Sequence, residues 1–155
     1  MISLAELKSG LLNKRSLINY NDELVSGFHR DASLVYFVHD ILEKNKSFFE
    51  TGTYEGISLK YLATNHPDAE FISCELLEHV YKVALKNCDN IKNIEIYNIH
   101  SLIFLKRLIE NINNNNIALK GHPVFWLDAH GGDKDGETGS LHLKEEIDMI
   151  INSFK

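Results

Sequence analysis

Apolar and polar positions along this chain switch repeatedly between two periods. Four runs have the length and composition of strands: Phe48-Phe49-Glu50, Phe71-Ile72-Ser73-Cys74, Asn93-Ile94-Glu95-Ile96-Tyr97-Asn98-Ile99 and Val124-Phe125-Trp126-Leu127-Asp128. Stretches with helical spacing surround them. Leu34, Phe37, Val38 and Ile41 form a stripe ahead of the first run, and Leu59, Leu62 and Ala63 form one after it. The second stripe must stop near Asn65-His66-Pro67, because proline pushes the residue before it out of the α region. Three more stripes follow: Leu76, Val80, Val83 and Ala84; Leu102, Leu105, Ile109 and Ile112; then Leu143, Ile147, Ile150, Ile151 and Phe154. Strands that alternate with helices pair in parallel through right-handed crossovers, with helices on both faces. The expected class is α/β, a three-layer sandwich with a mostly parallel sheet. Residues 47–155 form the expected core and residues 1–46 an N-terminal helical segment of the same domain, with Leu4, Leu7 and Leu11 suggesting a short first helix. The run Asn113 to Asn116 reads as a solvated turn, since asparagine is a poor helix former.

In such a sheet, ligands bind beyond the carboxyl ends of the strands. Polar residues collect at those ends here. The first run leads into Glu50-Thr51-Gly52-Thr53-Tyr54-Glu55-Gly56, a glycine turn that opens a helical stripe. The second ends at Glu75, the third at His100-Ser101 and the fourth at Asp128. Glycines let a backbone turn sharply beside a ligand, and an acid at the tip of the following strand can accept both hydroxyls of a ribose. The layout is that of a nucleoside-binding βαβ unit. A dinucleotide fingerprint would need glycine where Tyr54 stands, and no lysine follows the turn as in a triphosphate-binding loop.

Glu50-x-Gly52-x-x-x-Gly56 resembles the first motif of class I S-adenosylmethionine-dependent methyltransferases, with the departure at Tyr54. The resemblance covers most of the chain after about Phe48 and implies a Rossmann-like fold that binds S-adenosylmethionine. By that resemblance Glu50, Gly52, Thr53 and Gly56 would line the donor's turn, Glu75 would hold the ribose, and His100 and Ser101 would lie beside the adenine. Asp128 and His130, after the fourth strand, look like the family's residues near the transferred methyl group. His130 could serve as general base toward a hydroxyl acceptor, given the neutral pKa of imidazole. Asp128 and His130 could instead hold a divalent cation with Asp133, Asp135 or His142, as carboxylates and imidazoles do. Each position also has a plainer reading: Glu75 as an acid favoured at a helix N-terminus, Glu50 as a cap on the turn amides, and Gly131 to Ser140 as a polar surface loop.

The expected activity is methyl transfer to a small-molecule or sugar hydroxyl. Asp128-Ala129-His130 also resembles the D-A-H of arginase-like binuclear manganese hydrolases, which leaves a metal-dependent hydrolase as an alternative. A cofactor-binding domain without turnover is another. The class I fold normally has seven strands, whereas this sequence supplies about four, so a truncated sheet is expected. The fourth strand would then be an apolar edge, which a homodimer would cover.

Composition narrows the partners. The formal net charge is -6, with lysine and arginine scattered, so nucleic acid is disfavoured and a small molecule or glycan fits better. No apolar run approaches the length of a membrane span, and Met1 to Lys14 lacks the pattern of a signal peptide, which makes a cytoplasmic location the expectation. Cys74 and Cys88 form no C-x-x-C and read as reduced packing residues. Trp126 reads as core.

Overall fold

The structure, a computed structural model, describes residues 32–129 and 139–154. In chain order the elements are α1 (Ala32–Leu42), β1 (Ser47–Thr51), α2 (Ile57–Asn65), β2 (Glu70–Glu75), α3 (Glu78–Asn87), β3 (Ile94–Asn98), α4 (Ser101–Asn113), β4 (Pro123–Leu127) and α5 (Gly139–Ser153). The four strands form one parallel sheet in the order β3-β2-β1-β4. Strand order reverses between β1 and β4, which places the switch point of the sheet beside the glycine turn. The expected helix at Leu4 to Leu11 lies outside the described residues.

Side chains alternate across the strands and divide the core in two. Phe48, Phe71 and Ile96 point to the face covered by α1, α2 and α3, where they meet Val35, Val38, Leu42, Leu59, Leu62 and Ala84. Phe49, Ile72 and Cys74 point the other way, onto Phe104, Leu105, Leu108 and Ile112 of α4, with Met149 and Ile150 of α5 packed beside them. Trp126 packs into the first layer while Phe125 and Leu127 pack into the second. The three-layer α/β architecture is thus present, and all its strand pairs are parallel.

Three helical stripes are turned relative to the expected ones. In α1 the buried positions are Val35, Tyr36, Val38 and Leu42, while Phe37 is 58% exposed. Leu76 lies before the start of α3 and is exposed, as is Val83, so that helix buries only Val80 and Ala84. In α5, Ile147 and Ile151 are exposed, and the buried face instead carries Glu146. A single-sequence stripe weighs every apolar residue equally, whereas packing against the sheet selects the face that fits it. The helix α2 buries the residues expected of it, while α4 buries Leu105, Ile109 and Ile112, leaves Leu102 half-buried and adds Phe104 and Leu108.

Both cysteines are free and buried. Burial pushes the Cys74 thiol up to about 12 and the Cys88 thiol up to about 11. Thiolate is the reactive form, so neither should react readily in the folded protein. Treatment with iodoacetamide at pH 8 is expected to leave both unmodified in native protein and to modify both in denaturant. Rapid native alkylation of either would contradict this packing.

Candidate functional site

Four elements bring polar groups to one end of the sheet. The turn after β1 leaves the strand at Gly52 (φ 78), passes Tyr54 (φ 51) and enters α2 through Gly56 (φ 74). Its first residues stay fastened to β2, because the amides of Gly52 and Thr53 both donate to the carbonyl of Cys74 at 3.0 Å. A methyl group at Gly52 would lie 2.6 Å from the Asp128 carbonyl oxygen and 2.7 Å from the Ala129 Cα. Glycine here lets the turn lie directly against the exit of β4. At Gly56 the neighbours are the Cys88 sulfur and Ala84, so that glycine admits α3. Tyr54 holds the left-handed conformation that the missing middle glycine would have supplied.

Glu75, the last residue of β2, is buried and takes two backbone bonds. Its Oε2 accepts from the Tyr54 amide at 3.1 Å and its Oε1 from the Leu77 amide at 2.9 Å. The carboxylate therefore ties the glycine turn to the start of the next connection. Each oxygen keeps a second lone pair for a further donor.

Glu50, beside Ser73 of β2 in the register, is buried, with its Oε2 accepting from the Ser73 hydroxyl at 2.7 Å. Burial pushes its carboxyl up to about 7, against the lowering effect of the Ser73 and Thr53 hydroxyls, and the negative charges of Asp128 and Glu75 push it further up. His100 caps α4: its Nδ1 accepts from the Leu102 amide at 3.2 Å, which places the proton of a neutral ring on Nε2. Ser101 is buried at the first position of that helix. Asp128 follows β4, and its amide donates to the Thr51 carbonyl at 2.9 Å. Glu50, Gly52, Thr53, Gly56, Glu75, His100, Ser101 and Asp128 thus all stand at the carboxyl ends of strands or on the turns leaving them.

His130, Asp133 and Asp135 lie outside the described residues. Among the described residues, no group of three or more His, Cys, Asp or Glu side chains stands together as a ligand set for a metal. His142 lies on α5 with its ring edge-on to that of His100, centroids 5.1 Å apart. Sequence reasoning missed Ser73, which fixes Glu50, and Glu146, which reaches from α5 to accept from the Thr51 hydroxyl at 3.4 Å. Glu146 carried one available signal, a lone acid in an otherwise apolar helical face. The apolar stripe chosen for that helix hid it.

No protein-family model matches the chain, and no curated protein matches it. Solved structures do. The chain is similar to an O-methyltransferase from Bacillus cereus, crystallised in complex with SAH, at 15% identity and a TM-score of 0.50, covering 79% of this chain and 61% of that one. It is also similar to cofactor-bound Rv0187 from MTB at 15% identity and a TM-score of 0.52, covering 96% of this chain and 69% of that one. The chain spans 52% to 61% of the length of the first four structures it matches. Its fold is the Rossmann-like fold of the class I S-adenosylmethionine-dependent methyltransferases, represented here by four parallel strands. Among the described residues, no helix is long and apolar enough to cross a membrane.

Proposed function

We propose that the chain is an S-adenosylmethionine-dependent methyltransferase domain acting on a hydroxyl of a small molecule or sugar. The observation that carries this reading is Glu75, a carboxylate at the tip of β2 that is buried, tied to the Tyr54 and Leu77 amides, and left with lone pairs for a ribose diol. The fold shared with an O-methyltransferase crystallised with SAH supports it.

Methyl transfer from a sulfonium is an in-line displacement, and the bound donor supplies both the methyl group and the leaving group. The protein's part is to position the reactants and, for a hydroxyl acceptor, to take its proton. Glu75 would orient the ribose through charge-assisted hydrogen bonds. The β1 turn would bring backbone close to the donor's amino-acid portion, and His100 with Ser101 would border the base. Asp128, directly after β4, would lie beside the acceptor, with His130 two residues on in sequence. Whether that pair works as base or as metal ligands is decided by turnover after chelation and again after Mg or Mn is restored.

Calorimetric titration with S-adenosylhomocysteine, NAD and Mn separates the classes. Binding of S-adenosylhomocysteine but not NAD is expected. Tight Mn binding without the nucleoside would favour a hydrolase instead. The Glu75→Ala variant should bind S-adenosylhomocysteine about tenfold to a hundredfold more weakly while remaining folded, the range expected for losing roughly 1.5–3 kcal/mol of charged hydrogen bonding. Unaltered affinity would remove Glu75 from the site.

A further inference from the structure

A cavity of about 140 Å³ lies between α4 and the β3 edge of the sheet, open to solvent where Tyr97, Arg107 and Asn111 are exposed. Its floor is apolar. Ile72 of β2 and Phe104 and Leu108 of α4 are buried there, with Ile99 and Ile117 half-buried beside them. The cavity stands apart from the nucleoside crevice at the strand ends. Ile72 precedes Glu75 by three residues, roughly 10 Å back along β2. Leu108 and Asn111 lie about two and three turns down α4 from His100.

The polar groups of α4 on its wall are donors. Arg107, the single arginine among the described residues, forms no ion pair with any of them and has only N–H groups to offer. Asn111 follows it by four residues and so shares its face of the helix. Its side-chain oxygen accepts from the Asn116 amide at 3.0 Å, which leaves its own N–H groups for another partner. Among the described residues no acid lines the cavity, and Glu95, outside it, accepts from the Tyr97 hydroxyl at 2.7 Å. The rings of Tyr97 and Phe104 supply two aromatic walls, with centroids 6.4 Å apart and planes tilted by 39°.

We propose that this cavity binds a small aromatic carboxylate, with its ring in the apolar chamber and its carboxylate on Arg107 and Asn111. Size and chemistry select that class together. An apolar cavity of roughly this volume accepts one benzene ring, and aromatic walls favour an aromatic guest. A guanidinium beside a free amide favours a planar group with two acceptor oxygens, which a carboxylate supplies and an amine does not. The site neither requires nor tests the methyltransferase reading, because none of its lining residues belongs to the crevice.

The test titrates the full chain, labelled at its isoleucine and leucine methyl groups, with phenylacetate and with neutral phenylacetamide at pH 7, followed by NMR. Ring-current shifts should saturate at Ile72, Ile99, Leu108 and Ile117. Phenylacetate should bind at least about fivefold more tightly than phenylacetamide, the modest preference expected of a charge pair at an exposed guanidinium. Arg107→Gln, a surface change that leaves the core untouched, should remove that preference by weakening phenylacetate alone. Ile117→Phe should fill the chamber and weaken both probes. Equal affinity for the two probes in wild type, or unchanged phenylacetate binding in Arg107→Gln, overturns the proposal. So does the absence of any saturable shift, which would mean that the cavity is closed to ligands in the full chain. Shifts confined to the surroundings of Glu75 and His100 would put the probe in the nucleoside crevice and overturn it as well.

Discussion

Replacing Gly52 by alanine is expected to destabilise the protein by about 3 kcal/mol or more, the sum of overpacking and of forcing a side chain into left-handed backbone. The added Cβ would stand 2.6 Å from the Asp128 carbonyl oxygen, 2.7 Å from the Ala129 Cα and 2.8 Å from the Ala129 amide nitrogen. All three are main-chain atoms, so no rotamer change can clear them. The turn would have to leave β4, or β4 its place beside β1. Either movement strains the bonds from the Gly52 and Thr53 amides to Cys74 and from the Asp128 amide to Thr51. Nucleoside affinity should therefore fall along with stability. Urea denaturation and titration with S-adenosylhomocysteine measure the two effects. An alanine variant with the wild-type midpoint would show that the turn does not lie against β4. At Gly56 the nearest atom is the Cys88 sulfur at 3.1 Å, a side-chain atom with more room to yield. Its alanine variant should be the milder of the two.

The role of Gly52 also shows how far the sequence could be read. The glycine spacing marked the turn, and parallel pairing followed from alternating elements. What spacing cannot reveal is the neighbour across the gap: Gly52 meets the exit of β4, a segment more than seventy residues later in the chain. Tyr54 was legible as a departure from the motif but not as a residue in left-handed backbone, because φ is set by the whole turn. The two central strands were legible because their apolar runs are short and nearly continuous, which fits burial on both faces, and β3 because its apolar residues alternate. The amphipathic stripes of α1, α3 and α5 were less so, since one or two exposed apolar residues in each rotate the apparent face. That Glu50, Glu75 and Asp128 stand at strand ends could be read from sequence. Ser73 could not, because its partner Glu50 lies on the adjacent strand and only the parallel register sets them side by side.

That register leads to the largest pH effect expected of the molecule. Glu50 has its folded-state carboxyl pushed up to about 7 from an ordinary value of 4.5, chiefly by burial. Between those two values the folded protein binds a proton that the unfolded chain has released. Stability contributed by this group is therefore fully present below pH 4.5 and is lost as pH rises through 7. Above that, an ionised Glu50 opposes folding by roughly 3 kcal/mol, from a shift of about two and a half pKa units at 1.36 kcal/mol each. Glutamine has nearly the same shape and can still accept from the Ser73 hydroxyl, yet it never ionises. The Glu50→Gln variant should thus be more stable than wild type by up to about 3 kcal/mol at pH 8 and about equal to it at pH 4.5. Denaturation midpoints of both proteins from pH 4 to pH 9 give the curve directly. A constant difference across that range would mean that Glu50 titrates in the folded protein as it does in the unfolded chain.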